Sequence, residues 1–281
     1  MPIIKILLTK QKRYCPPSSM DDIEGFLKET EFCDFSNTAI QKLAGEIRHN
    51  CKNQREVAIF TFYWVRDNIL YSVGSWQKKA SETLSERKGT CTNKANLLVA
   101  LLRVNKIPAG YGIMKVYGQR YFGPVGIPML TKFVGKISTH VYVLVYLNKK
   151  WIKCDPSIDR KLGKNIYSFD KTTELVEWDG DRDAMLGLDK NDILKNNFPI
   201  MRVEHLMIKK PKNAKGIPLK IANIYINFIR ANEQKVSNEK ELGALFKKWL
   251  KARHSFYFYC FFAASWLKDL GIRLKKDEKN S

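Results

Sequence analysis

The side chain best placed for chemistry is Cys91, in the run Glu-Arg-Lys-Gly-Thr-Cys-Thr-Asn-Lys-Ala-Asn-Leu-Leu over residues 86–98. A loop with Gly89 delivers this cysteine to the first turn of an apolar helix. The orphan N–H groups and positive dipole end of a helix N-terminus favour thiolate over thiol, which makes the position suited to a nucleophile. Two further residues complete a set: His140 in Thr-His-Val-Tyr-Val-Leu-Val-Tyr-Leu, and Asp155 in Trp-Ile-Lys-Cys-Asp-Pro-Ser. Cysteine, histidine and aspartate supply a nucleophile, a general base and a group to orient the base.

Numbering alone argues that the last two meet. If Asn148-Lys149 is a two-residue turn, Leu147 faces Lys150 and Tyr142 faces Asp155. His140 then lies diagonally beside Asp155 on one sheet face, within reach of its side chain. One extra loop residue would send the two to opposite faces. Strand alternation turns Cys154 away from Asp155, which argues against a metal site built from Cys91, His140, Cys154 and Asp155; no metal is expected. Taken singly, Cys91 reads as a small buried hydrophobe and His140 as a satisfied strand residue. The functional reading rests on all three together.

The elements that must hold these residues are legible from periodicity. The segment from about Asp21 to Leu70 reads as helices. Ser36 is the expected cap of one with Ile40, Leu43, Ala44 and Ile47 on its inner face. Asn53 and Glu56 form a capping box for the next, whose stripe Val57, Phe60, Trp64 and Val65 should face the core. The cysteine helix continues through Leu97, Leu98, Leu101 and Leu102 until Asn105 and Pro108 end it. Residues 111–117 and 141–147 are rich in β-branched and aromatic types and read as strands, with a return strand through Trp151, Ile152 and Lys153. The long Gly- and Pro-rich stretch over 118–137 has neither period and is the kind of loop that covers a site. A last helix is expected from Asn238, with Glu241 as capping partner, through Leu242, Leu245, Phe246, Trp249, Leu250, Tyr257, Cys260 and Phe261 to a stop near Gly271. Lys247, Lys248 and Lys251 mark its opposite face.

The chain has 281 residues, of which 44% are hydrophobic and 12% aromatic, enough for a sizeable core. Its net charge is +21, and residues 205–281 hold 17 Lys and Arg against 6 Asp and Glu, over half of that excess. Three segments are expected: a basic leader over 1–20, a main domain over 21–204 and a basic, mainly helical extension over 205–281. Such charge attracts nucleic acid or an anionic membrane surface without choosing between them. The six cysteines show no CxxC pair in a chain this long, which points to reduced thiols in a cytoplasmic protein. The first residues form no secretion signal. The longest apolar stretch, residues 256–267, would rise about 18 Å as a helix against a hydrocarbon core of about 30 Å, so it does not span a membrane.

Gly89-Thr90-Cys91 before a leucine-rich helix, then a strand with His140, then Trp151-Ile152-Lys153-Cys154-Asp155-Pro156, resembles the bacterial and archaeal transglutaminase-like superfamily. The core of the likeness runs from Ala80 to Ile158. Val65-Arg-Asp-Asn-Ile-Leu-Tyr71 and Trp178-Asp-Gly-Asp-Arg-Asp-Ala184 extend it to residues 21–190. The resemblance implies a papain-like α+β fold, with N-terminal helices packed on an antiparallel sheet. It makes Cys91 the nucleophile, His140 the general base and later acid, and Asp155 the residue that holds the imidazole. The Cys91 backbone N–H is the expected oxyanion donor, with Trp76 and Tyr71 as side-chain or pocket candidates. The activity implied is acyl transfer from a protein or peptide amide, to water or to an amine, with no cofactor. The alternative is a catalytically silent scaffold whose 205–281 region binds nucleic acid or an anionic membrane.

Overall fold

The computed structural model describes residues 23–122, 135–166, 175–186, 190–207, 216–232 and 238–259. The expected leader, Cys15, Cys260, most of the 118–137 loop and the part of the last helix expected beyond Tyr259 lie outside the described residues.

Two helices open the fold, α1 (Thr38–His49) and α2 (Gln54–Asn68). Asn37, not Ser36, caps α1 by accepting from the Ala39 N–H at 3.0 Å. The Ser36 N–H and hydroxyl are instead both held by Glu29 at 2.8 Å, so the turn before the helix uses the serine. Asn53 caps α2 as expected, accepting from the Glu56 N–H at 2.9 Å, while the Glu56 carboxylate reaches back to the Lys52 N–H at 2.8 Å. The inner face of α2 departs from the expected stripe: it consists of Val57, Ala58, Thr61, Phe62, Val65 and Arg66, whereas Phe60 is 47% exposed. Rows spaced four residues apart, 57-61-65 and 58-62-66, face the core. Arg66 is tolerated there because its guanidinium donates to the Val176 carbonyl at 2.7 Å and pairs with Asp67 and Glu177. Trp64 is half-buried under the Arg87 guanidinium, 5.0 Å from its ring centre.

A short strand β1 (Leu70–Tyr71) is followed by α3 (Ala80–Glu86), by β2 (Lys88–Gly89), which pairs in parallel with β1, and by α4 (Cys91–Val104). The last of these is the central helix, buried at every residue from Thr92 to Arg103. A helix enclosed on all sides needs its polar members matched. Arg103 is matched by donating to the carbonyls of Ala109, Lys28 and Met201, while Asn96 donates to the Lys78 carbonyl at 2.9 Å but leaves its own Oδ1 without a partner among the described residues.

The sheet begins with β3 (Ala109–Tyr117), followed in sequence by a single helical turn, α5 (Gly118–Phe122). Then come β4 (Ile137–Leu147), β5 (Lys150–Cys154), α6 (Arg160–Ile166) and β6 (Ile193–Ile200). Strand order is β5-β4-β3-β6, antiparallel throughout. Asn148 and Lys149 have φ of 50° and 61°, the left-handed pair of a two-residue hairpin turn, and Leu147 faces Lys150 as the numbering predicts. On the helix side, Val141, Val143, Val145, Ile152 and Cys154 join the leucines of α4 in the main core. On the other side, Met114, Val116, Tyr142 and Leu144 form a smaller cluster closed by Trp151, Met185, Ile193 and Phe198. Gly112 makes room for it: a Cβ there would lie 2.0 Å from the Tyr142 ring. The strand β6 escapes a reading by alternation because it is an edge strand exposed through its middle, Leu194 to Asn197, with Pro199 near its end.

After a single turn, α7 (Glu204–Met207), two longer helices follow, α8 (Ile217–Ala231) and α9 (Glu239–Arg253). Asn238 caps α9 through the Glu241 N–H at 3.0 Å, as expected. The helix does not run on unbroken: it ends at Arg253 and His254 leaves helical geometry, yet Tyr257 still packs on the same cluster as expected, whereas Leu245 of the expected stripe is 44% exposed and Phe256 and Tyr259 are 67% and 62% exposed. The two helices pack Ile221, Tyr225, Phe228 and Ile229 against Leu242, Phe246 and Leu250, with Leu162 and Ile166 of α6 in the same cluster. Among the described residues no helix is long and apolar enough to cross a membrane.

Candidate active site

Thr90 has extended backbone, and its hydroxyl oxygen accepts from the Asn93 N–H while the Asn93 side chain reaches back to the Thr90 N–H at 2.9 Å. This reciprocal cap makes Cys91 the first residue of α4. Gly89 is required here because a Cβ would lie 2.7 Å from that of Asn93 and push the cap apart. The Cys91 N–H belongs to the first turn, where backbone donors have no intrahelical partner.

The ladder between β4 and β5 ends at Val143 opposite Cys154, so β4 runs past the end of its neighbour. Cys91 lies beside this unpaired stretch, where the His140 ring and the Val141 backbone N–H are the groups that favour its thiolate. On the far side of the ring, His140 Nε2 lies 2.6 Å from Asp155 Oδ2. Nε2 is thereby taken by the carboxylate, and Nδ1 is the ring nitrogen left for the sulfur. The second Asp155 oxygen, Oδ1, accepts from the Ser157 hydroxyl at 2.5 Å and its N–H at 3.1 Å. His140 is 3% exposed and Asp155 is fully buried, so this chain of contacts is shielded from water.

Electrostatics follow from that geometry. Burial alone would push the Cys91 thiol up, but the hydrogen bond and charge of His140, with the Val141 N–H, outweigh it and hold the thiol below its ordinary value of 9.0. Burial likewise disfavours a charged imidazole, yet the Asp155 carboxylate, with help from Cys91, carries His140 up to about 10. Burial works against ionised Asp155 too, and the charge and hydrogen bond of His140 and the two donations from Ser157 bring it below the usual carboxylate value. Thiolate, imidazolium and carboxylate are thus each favoured by the next.

The two aromatic candidates part company. The Trp76 indole N–H donates to the Leu206 carbonyl at 3.3 Å, which commits it away from a developing oxyanion. Its own carbonyl accepts from Asn93 Nδ2 at 2.9 Å, so Trp76 braces the cap. Tyr71 stays beside the site: burial, then the nearby Cys91 and Asp155, raise its phenol above the ordinary value. A cleft of about 330 Å³ opens next to it, lined by Tyr71, Gly74, Gly89, Thr90, Asn223 and Arg230 among others.

Sequence reasoning overlooked three contributors. Ser157 stands two residues after Asp155, the spacing of a side-chain turn, and was legible as such. Lys94, one turn into α4, is completely buried and donates to the Arg66 carbonyl at 3.0 Å and the Ile69 carbonyl at 2.6 Å, tying the cysteine helix to the end of α2. Its residue type gave no signal, since lysine on a helix reads as a solvated position. The Val141 N–H is a backbone group that no side-chain pattern could reveal. Cys154 is buried in the main core, and Cys33, Cys51, Cys91 and Cys154 are free thiols.

Residues 41–156 match the transglutaminase-like superfamily. No curated protein matches the chain. Among solved structures, a candidate cysteine protease from Cytophaga hutchinsonii is similar at 26% identity over 48% of this chain and 42% of its own, with a TM-score of 0.38. A candidate protease from Parabacteroides distasonis is similar at 14% identity over 48% of this chain and 25% of its own, with a TM-score of 0.33. This chain therefore spans less than half the length of either structure.

Proposed function

We propose, from the transglutaminase-like domain that the chain carries at residues 41–156, that the protein is a cysteine-dependent acyl-transfer enzyme acting on a protein or peptide amide. The observation that supports the reading is the 2.6 Å contact between His140 and Asp155 next to a Cys91 thiol that His140 holds below its ordinary value. In this reading the Cys91 thiolate attacks the amide carbon, and a carbon–sulfur bond forms as the carbonyl π electrons move to oxygen. The Cys91 N–H donates to that oxyanion. When the tetrahedral centre collapses, the carbon–nitrogen bond breaks and the His140 imidazolium gives its proton to the leaving amine. Water or an amine then attacks the thioester, losing its proton to His140, and thiolate is released. Asp155 holds the ring with one oxygen while Ser157 holds the other, so the imidazole keeps one orientation through both halves.

The acceptor is decided by access to the thioester, since water and amine attack the same carbon. The deciding assay compares wild type with Cys91→Ala on glutaminyl peptides, scoring ammonia release with and without added amine beside peptide-bond cleavage. Amine incorporation identifies a transferase, and cleavage without incorporation identifies a hydrolase. Rapid alkylation of Cys91 by iodoacetamide near neutral pH, lost in His140→Ala, supports the nucleophile; a Cys91 no more reactive than Cys51 sinks it.

A second reading is favoured by the surface of α9. Leu245 is 44% exposed next to Lys247 and Lys248, and Phe256 and Tyr259 project beyond Arg253. A basic surface with exposed apolar groups suits nucleic acid or an anionic membrane. Salt-sensitive binding that Cys91→Ala leaves intact would support it.

A further inference from the structure

We propose that α8 is a working part of the cysteine site, with Arg230 and Asn223 as positioning residues that hold the Tyr71–Val73 wall of the cleft beside the nucleophile; the inference rests on the acyl-transfer reading and extends it to the C-terminal region.

The wall segment is joined on one side to the loop that presents Cys91. Leu70 pairs with Lys88 and Tyr71 with Gly89, and the Ser72 N–H donates to the Gly89 carbonyl at 3.0 Å. Gly89 is two residues from Cys91, so a shift of the wall is a shift of the cysteine's own approach. On its other side the segment has no strand partner among the described residues, and its remaining backbone groups are met by side chains. The Tyr71 N–H donates to Asp159 Oδ2 at 3.0 Å, and the Tyr71 carbonyl accepts from Arg230 at 2.7 Å. Arg230 in turn pairs with Asp159 at 2.9 Å, with the two side chains only 10% and 2% exposed. Asn223 treats Val73 in the same way: its oxygen accepts from the Val73 N–H at 3.0 Å and its amide donates to the Val73 carbonyl at 2.8 Å.

Both polar groups of Tyr71 and both of Val73 are therefore gripped from outside the strand pair. Two of the three gripping side chains stand seven residues apart on α8, on one face two turns from each other. The same two residues line the cleft together with Gly89 and Thr90, the two residues that precede Cys91. A helix that only propped the fold would need to cover apolar surface, which the aromatic face of α8 already does through Tyr225 and Phe228. The Asn223 and Arg230 side chains of α8 reach the segment that pairs with the cysteine's approach, and Arg230 holds Asp159, which grips the same segment. A peptide lying in this cleft would find its wall fixed by the C-terminal region, and the small displacement that loss of the grip allows would cost productive binding more than thiol reactivity.

The test uses the full chain and two reagents for Cys91: iodoacetamide, small enough to ignore the cleft, and a peptidyl chloromethyl ketone, which must lie in it. Arg230→Met and Asn223→Ala should each slow the peptidyl reagent about tenfold or more while the iodoacetamide rate and its pH midpoint stay within about twofold. Arg230→Lys, which keeps a charge for Asp159 but cannot fork to the Tyr71 carbonyl as well, should fall between. Hydrogen exchange at the Tyr71 and Val73 amides should accelerate in the variants. If Arg230→Met fails to fold by thermal melting, Asn223→Ala, which leaves the ion pair intact, carries the decision. An unchanged peptidyl rate in the folded variants, or a proportional loss with both reagents, overturns the proposal. A wild-type Cys91 that neither reagent labels refutes the acyl-transfer reading instead, and the exchange rates then still decide whether α8 holds the wall.

Discussion

His140 Nε2 and Asp155 Oδ2 lie 2.6 Å apart although the two residues come from different strands, and the hairpin register that pairs Val143 with Cys154 is what brings them together. Asp155 follows the last paired residue of β5, where the chain is free to turn its carboxylate onto the ring. Ser157 closes the turn by donating to the other oxygen. The contact between His140 and Asp155 is thus a property of the hairpin, and the proposed reading adds the Cys91 thiol from a helix end.

Asp155→Asn should keep the fold and lose the chemistry. The amide is close in size to the carboxylate, but it removes the charge that sustains imidazolium and offers an N–H where the ring needs an acceptor. Cys91 alkylation near neutral pH should fall by about 10³-fold or more, on the scale by which a mis-oriented imidazole disables other triads. A variant that melts like wild type yet alkylates at the wild-type rate would contradict the role assigned to Asp155.

The pH profile separates the two partners. Alkylation needs only thiolate, so its rate should rise through a midpoint below 9.0 and then level off. Acyl transfer from an amide also needs the imidazolium proton, so its rate should fall again as pH passes the His140 value of about 10. Because thiol and imidazole titrate as a pair, the two midpoints belong to the pair. In His140→Ala the descending limb should vanish and the thiol midpoint should move upward.

The hairpin turn gives a stability test that leaves the site untouched. Lys149 has φ of 61°, a region in which a residue with a Cβ costs about 1–2 kcal/mol. Lys149→Gly should raise stability by about 0.5–1 kcal/mol in urea melts, part of the gain being returned as unfolded-state entropy. Inserting one glycine between Asn148 and Lys149 should have the opposite functional effect: the register slips, His140 and Asp155 part, and Cys91 alkylation drops to the level of Cys51.

The features that the sequence revealed are those carried by short-range rules. Cys91 at the start of a buried helix, the two-residue turn at Asn148-Lys149 and the Asn53 and Asn238 caps are each set by a few neighbouring residues. The features it concealed depend on distant partners. Arg66 and Lys94 are buried because carbonyls and carboxylates elsewhere in the fold accept their protons, and nothing near them in the chain announces it. The edge strand β6 has no alternation because its middle residues, though paired with β3, are exposed on both faces. The grip of α8 on Tyr71 joins residues more than 150 positions apart, and Trp76 lost its candidacy to a single carbonyl on α7.

Lys94 makes the pH dependence of stability diagnostic. Burial lowers its ammonium from the ordinary 10.5 to about 7, against weaker support from Asp159 and Asp67. Between those values the unfolded chain holds a proton on this lysine that the folded chain lacks, so Lys94 makes stability rise with pH across the window, by up to about 1.4 kcal/mol per unit. His140 acts in the opposite sense. Its folded value of about 10 lies above the ordinary 6.5, so its contribution is complete below about 6.5 and is lost as pH rises toward 10. In wild type the two slopes oppose each other and stability should change little between pH 7 and 10. Lys94→Met removes one of them and leaves the Arg66 and Ile69 carbonyls without their donor. It should be destabilised by about 1–3 kcal/mol, and its stability should then decline as pH rises from 7 to 10. His140→Gln should do the reverse and gain stability over the same range. Parallel urea melts of the three proteins at pH 7, 8.5 and 10 check both signs, and parallel slopes in all three would show that neither group titrates as its surroundings require.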